Sequence, residues 1–280
     1  MNLKKLAATA LSACMLLSMT ACGGEAPQSE APAEPSKEMT DWDYIQEKGS
    51  MKIGFTYYEP MNYTDDNGEF VGFETEFAKA VCEKIGVEPE FVEINWDGKV
   101  LSLQSKDIDV IWNGMTITPE ISESLTVSDP YLKNYQVIVI RKENAEAYKG
   151  TADLVGKNLE AEAGSAGEAA IAGDENLSKG NYLSVTTQTD ALLEVKTGAA
   201  DAAVMDFVLA DTVVGNGDYS DLMVIPDLQL SVEEYAAGFR KDSPAAEKMN
   251  AAMKELIEEG KLNELAVKYG LGELLLSNQK

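Results

Sequence analysis

GFETEFAKAVCEKIG, residues 72–86, decides how the chain is read. A glycine and an aromatic are followed by two acids one residue apart, Glu74 and Glu76. Phe77, Ala80, Val81 and Ile85 then recur at helical spacing, so the stretch predicts a helix with one apolar face. Upstream, residues 51–57 (MKIGFTY) read as a buried strand, residues 58–63 as a loop, and Asp65-Asp66-Asn67-Gly68 as a tight hairpin turn with its Asn-Gly pair. Downstream, residues 90–94 alternate like a strand, residues 100–103 belong to a helix ending near Lys106, and residues 108–112 form a buried strand. A helix between strands on both sides is the unit of an α/β fold.

The pattern repeats further on. Residues 135–140 (YQVIVI) are a strongly apolar strand, 151–155 a short helix, and 158–163 a strand ending in Gly164-Ser165-Ala166-Gly167. A helix opens at 168–171, followed by a strand at 183–185, a helix at 191–196 and a buried strand at 202–205 that delivers Asp206. Strands at 222–225 and 235–239 and helices at 244–259 and 262–269, separated by Gly260, complete the chain. The alternation predicts α/β architecture with largely parallel sheets, in two halves of about 100 residues each. Each half presents a glycine-containing loop at a strand end, where open α/β sheets place ligands, and two facing halves make a cleft.

The first 40 residues are read as outside the fold. Lys4 and Lys5 precede an apolar run over residues 6–17 and the small-residue region Ser-Met-Thr-Ala, so residues 1–21 read as a signal peptide. MTAC followed by Gly23-Gly24 resembles the lipobox of bacterial lipoproteins, which implies cleavage before Cys22 and lipidation on it. Residues 22–40 then form a polar tether with almost nothing to bury. Loss of Lys4 and Lys5 takes the formal net charge from −25 to about −27. Such a balance argues against nucleic acid and against docking on anionic lipid by charge. Only Cys82 remains beyond the leader and its lipidated cysteine, so no intramolecular disulfide forms. There is no histidine, which excludes histidine-based nucleophile systems and histidine metal sites.

The loop after the strand at 108–112 is GMTITPEISESLTVSDPY, residues 114–131. Thr118-Pro119-Glu120 is a helix start, with a threonine N-cap and proline in the first turn. Helix starts favour anions, yet no Lys or Arg lies in the loop. The 72–86 stretch resembles the signature of the family 3 extracellular solute-binding proteins of ABC importers. Tyr58-Glu59-Pro60, Trp96-Asp97-Gly98, residues 103–109, Met115-Thr116-Ile117-Thr118, Ser128-Asp129-Pro130-Tyr131, Glu162-Ala163-Gly164-Ser165 and residues 200–206 follow in family order, so the resemblance covers about residues 41–270. It implies a two-lobed periplasmic-binding-protein-like fold (type II) with a ligand cleft between lobes joined by a two-strand hinge. Residues 41–134 and 238–280 would be lobe 1 and residues 135–237 lobe 2, with the hinge at 134–136 and 235–237.

The resemblance also implies a site. Tyr58 and Trp96 match aromatics on either side of the ligand; Asn113, Gly114 and Thr116 match groups that take its carboxylate. Ser165 adds donors from the second lobe, and Asp206 matches the carboxylate that receives the α-ammonium. Glu162 stands where a second-lobe side chain often reaches the ligand. The departure is Ile121, which replaces the arginine that clamps the ligand carboxylate in the usual pattern; Arg141 and Arg240 match no ligand position. Three ligands fit: a carboxylate held by backbone N–H groups with Asn113 and Thr116, a small peptide or amide with a masked carboxylate, or a mainly cationic amino acid or amine. Acidic amino acids rank last. Gly68 and Glu74 have EF-hand spacing, but Tyr63 at the first ligand position makes the segment a hairpin; the 164–167 turn lacks the lysine of a phosphate loop. The expectation is a monomeric substrate-binding lipoprotein, without enzymatic activity, cofactor or metal. It would be anchored at the outer face of the cell membrane and deliver an amino acid or related solute to an ABC permease and its ATPase. The competing classes are a lyase-type enzyme on the same fold and a surface sensor or adhesin without transport.

Overall fold

The computed structural model describes residues 39–279; the expected signal peptide, Cys22 and all but the last two residues of the expected tether lie outside them. Helix α1 (Asp41–Lys48) starts at Thr40, whose hydroxyl accepts from the Asp43 N–H in a reciprocal capping box. Strand β1 (Ser50–Phe55) follows, then β2 (Tyr63–Thr64) and β3 (Phe70–Val71), which pair antiparallel as the Asn67-Gly68 turn predicts. Helix α2 (Phe73–Ile85), β4 (Glu88–Glu93), α3 (Lys99–Gln104), β5 (Val110–Ile111), α4 (Pro119–Ser124) and β6 (Leu125–Val127) complete the first half. The second half runs β7 (Leu132–Arg141), β8 (Asn158–Glu162), α5 (Ala166–Gly173), β9 (Asn181–Val185), α6 (Gln188–Thr197), β10 (Ala202–Asp206), α7 (Phe207–Val213), β11 (Leu222–Val224) and β12 (Val232–Tyr235). The chain ends with β13 (Gly238–Arg240), α8 (Ala245–Glu258) and α9 (Lys261–Lys268).

Two main sheets result. One has the order β4-β1-β5-β13-β6, the other β11-β7-β10-β8-β9 with β12 also pairing with β7. In the first, β1 runs parallel to β4 and β5, and β13 antiparallel to β5 and β6. In the second, β8 runs parallel to β9 and β10, while β7 is antiparallel to β10, β11 and β12. The sheets are therefore mixed, where the sequence predicts largely parallel ones. The strand expected over residues 235–239 is two strands. The chain leaves the second sheet at Tyr235, opposite Leu132, and enters the first at Gly238, opposite Ile111 and Val127. Ala236 and Ala237 are fully buried between them, so an unbroken apolar run conceals a change of sheet. The helix expected at 151–155 is a single 3-10 turn, Thr151–Leu154.

The signature stretch packs as its spacing demands. Phe77 of α2 is fully buried, edge-on to Trp112 at 5.0 Å and to Tyr131 at 5.4 Å between ring centroids. Truncating such a side chain to alanine costs about 3–5 kcal/mol. Gly72 opens α2 with φ +135, and a Cβ there would lie 2.1 Å from the Met61 carbonyl oxygen. No other residue fits that close approach of backbones. Cys82, on the buried face of the same helix, has its thiol pushed up to about 12 by burial, so it is a core side chain.

Candidate functional site

A cavity of about 370 Å³ lies between loops of the first sheet and the strand ends of the second. All nine residues singled out as ligand-binding line it: Tyr58, Trp96, Asn113, Gly114, Thr116, Ile121, Glu162, Ser165 and Asp206. Sequence positions up to about 150 apart converge because open α/β sheets collect their strand ends and following loops at one crevice.

Asp206 is the last residue of β10 and is buried. Its N–H donates to Gln188 Oε1 at 3.0 Å, and Oδ1 accepts from Asn134 Nδ2 at 2.6 Å and Gln136 Nε2 at 2.7 Å. Gln188 Nε2 donates to the other oxygen. Burial, reinforced by Glu233, pushes the carboxyl up to about 6 even with those amide donors beside it. Glu162 ends β8 and is only 4% exposed, and its Oε1 has no hydrogen-bond partner. Burial and then the charge of Asp206 push it up to about 8, against opposing pulls from Lys99 and Gln188. Two carboxyl groups thus share one cavity, each harder to ionise than a free carboxylic acid and each favoured in its charged form by a nearby cation.

Tyr58 and Trp96 are both buried at the cavity wall. The Tyr58 ring lies against Gly114, where a Cβ would meet Tyr58 Cε1 at 2.5 Å, and φ is +58, so glycine is required. The Tyr58 hydroxyl pairs with that of Tyr235 at 2.7 Å. Ile121 is partly buried against the apolar cluster that includes Trp96, Met115 and Leu125. Thr118 caps α4 as read from sequence, its hydroxyl accepting from the Ile121 N–H at 3.2 Å. Ser165 caps α5, its Oγ accepting from the Glu168 N–H at 3.2 Å; the leading N–H groups of that helix have no acceptor within it.

The sequence assigns Asn113, Gly114 and Thr116 to a ligand carboxylate, and in the structure the Gly114 N–H and the Asn113 and Thr116 side chains are engaged with protein. The Gly114 N–H donates to both Glu74 oxygens at 2.9 Å, Asn113 Nδ2 to Thr56 Oγ1 at 2.6 Å, and the Thr116 hydroxyl to Glu233 Oε2 at 2.9 Å. Glu74 is itself almost wholly buried, accepting also from Tyr131 and Asn62, and burial pushes it up to about 7.

Sequence reasoning missed Lys99 and Gln188. Lys99 opens α3, directly after the Trp96-Asp97-Gly98 turn, and lines the cavity. Its Nζ donates to the Gly164 carbonyl at 2.8 Å and the Trp96 carbonyl at 3.2 Å, and sits 4.6 Å from the centroid of the Trp96 ring. Burial lowers its pKa, and Glu162, Asp97 and Glu168 oppose that shift. A search for arginines alone passes over it. Arg141 and Arg240 serve the scaffold: Arg141 donates to the Ala200 carbonyl at 3.0 Å, and Arg240 pairs with Asp41 at 2.6 Å and Asp109 at 3.0 Å. Among the described residues, no group of three or more acids and cysteines is placed to hold a metal ion.

Known proteins resemble this chain in sequence and fold. The arginine-binding extracellular protein ArtP of Bacillus subtilis is 30% identical over 97% of this chain and the whole of that protein. A crystal structure of a mutant of ArgBP from T. maritima aligns with 35% identity and a TM-score of 0.76, over 82% of this chain and 99% of that one. An ancestral amino acid-binding protein, described as a precursor of cyclohexadienyl dehydratase, aligns with 31% identity and a TM-score of 0.74, over 81% and 98%. These relatives are two-lobed α/β proteins, and the fold is the periplasmic-binding-protein-like one. The family model of the bacterial extracellular solute-binding proteins, family 3, matches residues 51–272, and the chain belongs to that family.

Proposed function

We propose that this chain is the solute receptor of an ABC importer, held to the outer face of the cell membrane by a lipid on Cys22, and that it captures a small solute with more than one cationic or ammonium group, of the arginine class. The observation that carries the ligand class is the pair of buried carboxyl groups, Asp206 and Glu162, in one cavity, with an unpartnered Glu162 oxygen and Ile121 in place of a cation. An ammonium on Asp206 and a second cation at Glu162 would satisfy both. Tyr58 and Trp96 would hold the apolar stem between them. Relatives whose names specify arginine support the class.

Capture by closure follows from the division of the chain. Strands of the first sheet come from residues 50–127 and 238–240, those of the second from residues 132–235, which supports lobes at 41–134 with 238–280 and at 135–237. Residues 134–136, within β7, and 235–237, at the end of β12, would then be the hinge, and ligand shifts the population toward the form the permease engages. No covalent step is required. Likeness to the precursor of a dehydratase makes a lyase assay the check on that point: product from a cyclohexadienyl substrate would replace the receptor reading.

The test is a thermal-shift series with arginine, lysine, histidine, glutamine and glutamate, since a ligand of the native state raises Tm. Arginine is expected to give the largest shift and glutamate none, and Asp206→Asn to abolish the arginine shift. A larger shift with glutamate would sink the cationic reading, and an undiminished shift in Asp206→Asn would remove that residue from the site.

A further inference from the structure

Lys99 and Gly164 belong to different halves of the chain. Lys99 opens α3, among the elements of the first sheet, and Gly164 follows β8 of the second. The Lys99 ammonium joins them, donating to the Gly164 carbonyl at 2.8 Å and to the Trp96 carbonyl of its own half at 3.2 Å. Lys99 is 8% exposed, and a charge so placed is tolerated only when it is hydrogen-bonded. The surroundings are shaped for this contact. The Ser165 N–H donates back to the Glu162 carbonyl at 3.2 Å. In a trans peptide the C=O points opposite to the N–H, so the Gly164 carbonyl is aimed outward from its turn. Gly164 has φ +68, and a Cβ there would lie 2.9 Å from Asp97 Oδ1 and 3.0 Å from Asp97 Cα. The Trp96-Asp97-Gly98 turn thus seats directly on Gly164, and only glycine allows that approach. Two other hydrogen bonds between the halves, from the Thr116 hydroxyl to Glu233 and from the Ile117 N–H to the Glu234 carbonyl, reach residues next to the crossing at 235–237. The Lys99 bond instead joins two turns that both line the main cavity.

We propose that Lys99 is a latch on the cleft: its ammonium bridges the Trp96 and Gly164 carbonyls, holds the two lobes together without help from a solute, and lets solute in or out when the Gly164 bond breaks. This inference rests on the two-lobed, hinged reading above and not on the arginine class. The cation belongs to the protein and the acceptor is main chain, so the latch works whatever the charge of the solute. Lys99 is here a positioning residue. When the lobes part, its ammonium keeps the Trp96 carbonyl and regains water in place of Gly164. The closed form therefore gains the net worth of one charge-assisted hydrogen bond, about tenfold in the closed-to-open ratio.

The test is small-angle X-ray scattering of the ligand-free protein at pH 7, fitted as a mixture of closed and open forms. Lys99→Met keeps an apolar stem on the Trp96 ring and removes the ammonium, and Gly164→Ala sets a Cβ against Asp97 while leaving Lys99 in place. Each should raise the open-to-closed ratio about tenfold, and the two together no more than the larger single change, because both break one contact. Lys99→Arg, whose guanidinium can donate to both carbonyls, should keep the ratio within about twofold, as should Glu162→Gln, which leaves the main-chain acceptor untouched. Arginine should return Lys99→Met to the closed form. An unchanged ratio in Lys99→Met overturns the inference, and so does a tenfold rise in Glu162→Gln, which would place the Lys99 partner in that carboxyl group. A ratio raised by Lys99→Met that arginine fails to reverse upholds the latch and refutes the arginine class. A ratio that arginine lowers in the unaltered protein, and that Lys99→Met leaves as it was, refutes the latch alone.

Discussion

Binding of arginine should strengthen steeply as pH rises from 6 to 8. The reason is Glu162, whose carboxyl sits at about 8, and Asp206, at about 6, both raised chiefly by burial. A cation needs these groups ionised, and the guanidinium of arginine stays charged throughout the range. The sign follows: a raised acid is neutral below its pKa, so lowering the pH makes the protein surrender a proton before it can pair. With a pKa of 8, Glu162 is about half ionised at pH 8 and about one-hundredth ionised at pH 6; Asp206 falls to about one half. Together these lower the arginine affinity about a hundredfold across the two units, or ~2.7 kcal/mol. The groups facing Glu162, namely Asp206, Lys99, Gln188 and Asp190, are those that set its shift. Calorimetry in buffers of different ionisation enthalpy should show about one proton released per arginine bound at pH 7. Glu162→Gln should remove most of the slope and leave the twofold change due to Asp206. A flat affinity between pH 6 and 8, or an unchanged slope in Glu162→Gln, would refute the assignment of a ligand cation to Glu162.

Two further outcomes are expected. Glu74→Ala leaves the Gly114 N–H without its acceptor and should lower stability to urea by about 1–3 kcal/mol and arginine affinity at least tenfold; an unchanged affinity in the folded variant would show that Glu74 supports the core and not the loop. Lys99→Met removes a positive charge that lowers the Glu162 carboxyl, so the rise of arginine affinity with pH should move to higher pH; an unmoved pH profile would show that Lys99 does not act on Glu162.

Most of the scaffold was legible in the sequence because its signals are local. Helix α2 shows its apolar face at helical spacing, the β2–β3 hairpin its Asn-Gly turn, and α4 its Thr-Pro start, and each lies where those signals put it. The break at Ala236-Ala237 was hidden, because an alanine pair between Tyr235 and Gly238 has the same apolarity whether the strand continues or changes sheet. Helix α7 (FVLADTV) shows no clear polar face, and neither it nor the three-residue β6 was anticipated. In the site, Asp206 could be found because it ends an apolar run that reads as a strand, whereas Glu162, at the end of NLEAE, was placed by the family resemblance. Lys99 and Gln188 open helices, where a polar residue is unremarkable, and only the fold turns them inward.

What the sequence could least reveal is which donors are free. Asn113, Gly114 and Thr116 stand where donors to a ligand carboxylate are expected, and all three do line the cavity. Their hydrogen-bonding capacity, however, is decided by residues remote in sequence. Glu74, an acid of the 72–86 stretch, reaches the Gly114 N–H forty positions on with both oxygens. Glu233, in β12, takes the Thr116 hydroxyl. A buried carboxyl with such donors is costly to form and costly to disrupt, so Glu74 and Glu233 brace the loop at 113–116. The consequence for recognition is directional. The ammonium end of the cavity has buried acids with an oxygen to spare, while at the other end the Gly114 N–H and the Asn113 and Thr116 side chains are taken by protein, so a ligand carboxylate there relies on other main-chain N–H groups, such as those that open α5.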